Sequence, residues 1–135
     1  MEVTDRYAEG LIKAGLPGEP SGYYKLLEEN RLSGEEIKEL VFGRKRSGFD
    51  VWTGDEWVLD TSKSGVFHFR NSLINGQGDL LIDSENGMFC ATADWLFEGL
   101  KDCCAVFRNP DGSPEEKNEY LSLHYYWIVP WSPAD

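Results

Sequence analysis

The residues best suited to chemistry in this chain are its two histidines, its three cysteines, and the carboxylates and tryptophans around them. In Val66-Phe67-His68-Phe69-Arg70, alternation along a strand puts His68 and Arg70 on one face and Phe67 and Phe69 on the other. His124 recurs with Ser122 and Tyr126 on one face of a later run. If those faces coincide, His68, Arg70, His124 and Tyr126 form a polar patch rimmed by tryptophans, Trp57 and Trp95 among them, which is how a small-ligand site is commonly built. The competing reading is the solvated outer face of a half-buried sheet. Tryptophans in loops serve either as binding anchors or as lids on a small core, and both readings stay open for Trp57 and Trp95.

Cys90, Cys103 and Cys104 are too few for a disulfide framework and too poorly spaced for a four-ligand zinc site. Three states remain open: buried thiols, one disulfide, or a metal or redox role. A Cys90–Cys103 bridge requires neighbouring strands, and the vicinal Cys104 would then point to the opposite face. A Cys–His nucleophilic pair needs only adjacency in space, but nothing local marks an activated thiol. Carboxylates such as Asp50, Asp55, Asp60, Asp79 and Asp83 fall at strand ends and turns, where solvation and turn formation account for them. Gly76-Gln77-Gly78 lacks the third glycine and the helix of a phosphate cradle, and no metal or nucleotide motif is present. No cofactor is expected.

The chain has 135 residues and a net charge of −11, which fits one domain and disfavours binding to a phosphate backbone. The acidity is local. Residues 1–46 carry 8 basic and 9 acidic side chains, whereas residues 47–135 carry 5 and 15. Such a surface repels nucleic acid and anionic membranes and suits a small molecule or a basic protein as partner. No apolar run reaches the roughly 18 residues of a membrane span, and Met-Glu-Val-Thr-Asp does not open a signal peptide. The expectation is a soluble protein, cytoplasmic as the sequence stands, and periplasmic or secreted if a signal peptide has been removed.

The elements that must position these residues change period near Ser47. Helical spacing follows Thr4 or Asp5 up to Gly15, and again over residues 22–30, where Tyr23, Leu26 and Leu27 make one stripe. Ser33 with Glu36 forms a capping box ahead of Ile37, Leu40 and Val41, and Gly43 closes that helix. Beyond Ser47, alternating runs are separated by turn signals such as Thr53-Gly54-Asp55, Asn75-Gly76 and Asn86-Gly87. Turns every 8 to 12 residues, roughly, are the pattern of an antiparallel sheet or small barrel.

Leu32-Ser-Gly-Glu-Glu-Ile-Lys-Glu-Leu-Val-Phe-Gly43, Gly76-Gln-Gly-Asp-Leu-Leu-Ile82, Asn86-Gly-Met-Phe-Cys90 and Cys104-Ala-Val-Phe-Arg108 together resemble a family of small uncharacterised bacterial β domains. These occur as secreted stand-alone proteins and as appended modules. The segment Tyr7–Pro17 is similar to one that precedes such modules at the C-terminal end of class III nucleotide cyclases. Members tend to have Trp after the glycine pair, where this chain has Leu80 or Leu81. The resemblance implies a β-rich accessory domain with N-terminal helices, brings no catalytic residues, and leaves open whether Cys90 pairs with Cys103 or Cys104.

The sequence therefore predicts a single α+β domain over residues 1–135. Two or three N-terminal helices (1–46) would pack on a bent antiparallel β-sheet or partly open small β-barrel (47–135). The expected role is a non-catalytic ligand- or partner-binding or regulatory module. Two rivals are an acidic inhibitor or immunity-type protein that neutralises a basic partner, and a small enzyme in which His68 or His124 meets a carboxylate or cysteine in a pocket.

Overall fold

A computed structural model of the chain describes residues 24–95, 99, 101–124 and 127–134. Eight strands follow one another: β1 (Lys45–Phe49), β2 (Glu56–Thr61), β3 (Val66–Arg70), β4 (Asn75–Asp83), β5 (Met88–Thr92), β6 (Asp102–Arg108), β7 (Tyr120–His124) and β8 (Trp127–Pro133). Each pairs antiparallel with the next, and β1 returns to β8 through Arg46↔Pro133, Ser47↔Ser132 and Gly48↔Trp131. The result is a closed up-and-down barrel, which leaves no free sheet edge.

This overturns the α+β expectation. The described residues are mostly β, with 50% of them in strands and 11% in helix, and the barrel is closed rather than partly open. Among the described residues there is one α-helix, α1 (Gly34–Val41), and a 3-10 turn spans Glu28–Asn30. The helix expected from Thr4 or Asp5 lies outside the described residues. The one expected over residues 22–30 is, from Tyr24 onward, mainly an extended strap along the outside of the barrel. Its apolar residues explain the difference: Leu26 is fully buried against Ala105, Phe107, Leu121 and Ile128 on the outer face of β6, β7 and β8. Arg31 then bridges to Phe107, and Leu32 N–H donates to the Val106 carbonyl at 2.9 Å. Docking on a preformed wall competes well against so short a helix, which is marginal without tertiary support. β1 also starts at Lys45, so the boundary expected after Arg46 falls inside the first strand.

The third predicted helix is present. Ser33 Oγ accepts from Glu36 N–H at 3.2 Å while Glu36 Oε1 accepts from Ser33 N–H at 3.0 Å. This satisfies two of the free N-terminal N–H groups. Ile37 and Val41 are fully buried and join the interior cluster with Leu32. The helix packs against β4 and β5, by the turns that join β2 to β3 and β4 to β5, and so covers one end of the barrel. Period-two alternation along the strands fills the lumen with Trp57, Phe67, Leu80, Phe89, Cys104, Val106 and Trp131.

Cys90 and Cys103 are register partners on β5 and β6 and form a disulfide, which leaves Cys104 as a buried free thiol. Neighbours on a strand face opposite ways, so the bridge lies on the outer wall and Cys104 in the lumen.

Candidate functional site

The end of the barrel opposite α1 is framed by the turns β1–β2 and β3–β4, the segment after β5, and the start of β8. Below that rim lies a cavity of about 360 Å³. Eight strands enclose a lumen wide enough either to be filled by side chains or to hold one small ligand. Here it is partly filled. Leu59, Phe67, Phe69, Leu80, Phe89, Ala91 and Val129 supply apolar wall, and Trp57, Trp95, Trp127 and Trp131 supply aromatic wall. Trp95 stacks on Phe69 with ring centroids 5.3 Å apart, and its indole N–H donates to the Gln77 carbonyl at 3.1 Å. It can lie flat on β4 because position 76 is glycine; a Cβ there would occupy the space of the indole.

The rim is tied by side chains of its own turns. Asp50 Oδ1 accepts from the N–H groups of Trp52 and Thr53, and Asn71 Oδ1 accepts from those of Leu73 and Ile74. Ser72 Oγ donates to Asp55 Oδ2 at 2.7 Å, which joins the β1–β2 turn to the β3–β4 turn. These are Asx turns, as expected of Asp and Asn at strand ends.

Among the described residues, the ionisable groups that face the lumen below the rim carboxylates Asp50 and Asp55 are Arg46, Asp102, His124 and the Cys104 thiol. His124 stands opposite Cys104 in register, and its Nδ1 lies 3.0 Å from Asp102 Oδ2. The His124 side chain is 17% exposed and that of Asp102 6%. Burial works against the imidazolium, but the Cys104 side chain and the Asp102 carboxylate outweigh it and raise the His124 pKa well above the ordinary histidine value. His124 is thus cationic at neutral pH. It also lies almost parallel to Trp127, with ring centroids 5.9 Å apart. The second oxygen of Asp102, Oδ1, is buried and has no partner among the described residues.

Arg46 lies deeper, on the second residue of β1, and is only 3% exposed. Its guanidinium carbon is 4.7 Å from the Trp131 ring centroid, 5.2 Å from that of Phe89 and 5.9 Å from that of Trp57. Such cation–π contacts gain strength when desolvated. Burial pulls the guanidinium down to about 10, with the Cys104 side chain acting in the opposite sense, so the charge persists at neutral pH. Nε has no hydrogen-bond partner, and no carboxylate of the described residues pairs with the group.

Of the six residues singled out in the sequence, Trp57, Trp95 and His124 lie on the cavity wall. His68 and Arg70 do not join them. Both are exposed on the outer face of β3, where His68 Nε2 contacts Asn75 Oδ1. The two faces therefore do not coincide, because the alternation that sends Phe67 and Phe69 inward sends His68 and Arg70 out. Tyr126 lies outside the described residues. Arg46 and Asp102 were missed. Arg44-Lys45-Arg46 reads as a basic run leaving a helix, and a charge at an inward strand position runs against the alternation rule that would otherwise have marked it.

Among the described residues no group of three His, Cys, Asp or Glu side chains is arranged to hold a metal ion, and no helix is long and apolar enough to cross a membrane. Fold and site together define a closed eight-stranded antiparallel barrel with an internal, aromatic-walled cavity. Comparison of the chain with family models, curated proteins and solved structures finds no match.

Proposed function

We propose that this chain is a non-catalytic binding module that holds one small molecule inside the barrel. The observation that carries this is the cavity itself, which combines a mainly apolar, aromatic wall with a few convergent polar groups, Arg46, His124 and Asp102. Outward residues at mid-strand, such as Asp60, His68, Gln77 and Asp79, are polar or charged and suit water rather than lipid. The resemblance to accessory domains agrees with a module that senses or carries a ligand.

The test uses a neutral fluorogenic probe, N-phenylnaphthylamine, with the wild type and two variants that fill the lumen from different walls, Ala91→Trp and Leu59→Trp. Saturable emission in the wild type, lost in whichever variants keep the wild-type circular dichroism spectrum, is the expected result. Equal binding by a folded, filled variant would place the probe outside the barrel and refute the reading.

A second reading, a small enzyme, draws on the His124–Asp102 pair in the same cavity. Its weakness is electrostatic: an imidazolium held protonated by its neighbours has no free lone pair for general-base work at neutral pH. In the binding module the same group serves as a fixed positive charge and hydrogen-bond donor.

A further inference from the structure

Arg46 is a cation without an anion. A buried guanidinium ordinarily has a carboxylate or several carbonyls around its five N–H donors, since an unpaired buried charge is costly. Here aromatic faces of Trp131, Phe89 and Trp57 surround it, Nε donates to nothing, and the group lines the cavity. In a chain of net charge −11 a carboxylate partner would have been easy to supply. The acidic side chains of the lining are placed elsewhere. Asp102 is engaged with His124, and Asp50 and Asp55 are held in the rim turns.

We infer that the ligand is an organic acid bound head first, its carboxylate on Arg46 in the depth of the barrel and its apolar body along Trp57, Phe69 and Trp95. This rests on the luminal binding proposed above and names its substrate class. A carboxylate offers two acceptor oxygens to the planar fork of the guanidinium, the pairing in which arginine surpasses lysine. The reverse orientation would leave Arg46 unpaired and set the acid against Asp50 and Asp55. The vacant oxygen of Asp102 further accommodates a hydroxyl or amine on the ligand, whose proton it would accept.

The test is calorimetric titration at neutral pH with naphthylacetate and its neutral isostere naphthylacetamide, on wild type, Arg46→Met and Arg46→Lys. A charge-assisted hydrogen bond in a desolvated site corresponds to roughly tenfold or more in affinity, so wild type should prefer the acid by at least about that factor. Arg46→Met should erase the preference by weakening the acid by at least about tenfold more than the amide, and Arg46→Lys should keep part of it. Arg46→Met gives up three cation–π contacts and also removes a buried charge that has no carboxylate, opposing effects that should leave its melting temperature close to that of wild type. Equal affinity of wild type for acid and amide overturns the inference but leaves luminal binding standing, and so does an acid preference that survives Arg46→Met. Absence of both ligands from the wild type overturns this inference; loss of N-phenylnaphthylamine binding as well would remove the reading beneath it. If Arg46→Met does not fold, the wild-type ratio and Arg46→Lys decide the matter.

Discussion

Gly48 and Trp57 face each other across β1 and β2, and the Trp57 ring occupies the space that a side chain at position 48 would need. The Pro130 carbonyl of β8 closes the same space from the other side. Glycine here permits two walls of the barrel to approach and the indole to lie flat under Arg46.

Gly48→Val should therefore be destabilising, by about 1–3 kcal/mol as overpacked sites usually are. Urea denaturation followed by tryptophan fluorescence measures it. A wild-type midpoint would mean that the Trp57 ring does not rest on β1.

The outer wall carries a second constraint, the Cys90–Cys103 bridge, with a sequence separation of 13. Loop-closure entropy for a ring of this length gives a contribution on the order of 3 kcal/mol. Thiol titration of the unfolded chain should find one free thiol, that of Cys104, rising to three after reduction. Denaturation with and without reductant should show the reduced form to be less stable. Three thiols without reductant would exclude the bridge.

Much of the barrel was legible in period and punctuation. Thr53-Gly54-Asp55 and Asn86-Gly87 mark turns, whereas Asn75-Gly76, read as a turn, opens β4; the runs between the turns alternate as strands must, which orients Phe67 inward and His68 outward without further information. Closure was not legible, because the pairing of β1 with β8 joins residues more than eighty positions apart and leaves no local trace. The helical spacing read over residues 22–30 was misleading as a period, since docking on the outer wall buries Leu26 equally well, while Tyr23 lies outside the described residues. The site was half legible. Tryptophans announce a wall, whereas an inward arginine can be recognised only once its strand is placed.

The His124–Asp102 pair makes stability depend on pH in a definite direction. The folded-state pKa of His124 is raised above its unfolded value of about 6.5, so its contribution is fully present below that pH. It is lost as pH rises from there toward the folded-state value of about 10. One proton sets the slope at no more than about 1.4 kcal/mol per pH unit. Equilibrium unfolding at several pH values across this window should show stability falling in the wild type and a flatter profile in His124→Gln. A wild-type profile that is flat over this window and rises with pH only below about 6.5 would place the imidazole in the lumen as a neutral group. With only two histidines in the chain, imidazole proton shifts followed in His68→Gln would report His124 directly.

The capping box of α1 provides a change that separates stability from binding. Ser33→Ala removes the acceptor for Glu36 N–H while the backbone N–H of residue 33 can still donate to Glu36 Oε1, at a cost of about 1 kcal/mol. The helix covers the end of the barrel away from the rim, and none of its residues lines the cavity. Thermal unfolding of Ser33→Ala should move to lower temperature while affinity for N-phenylnaphthylamine stays at the wild-type level. A parallel loss of probe affinity would mean that α1 shapes the cavity as well as closing the barrel, because the packing of Ile37 and Val41 would then be setting the positions of the luminal side chains above them.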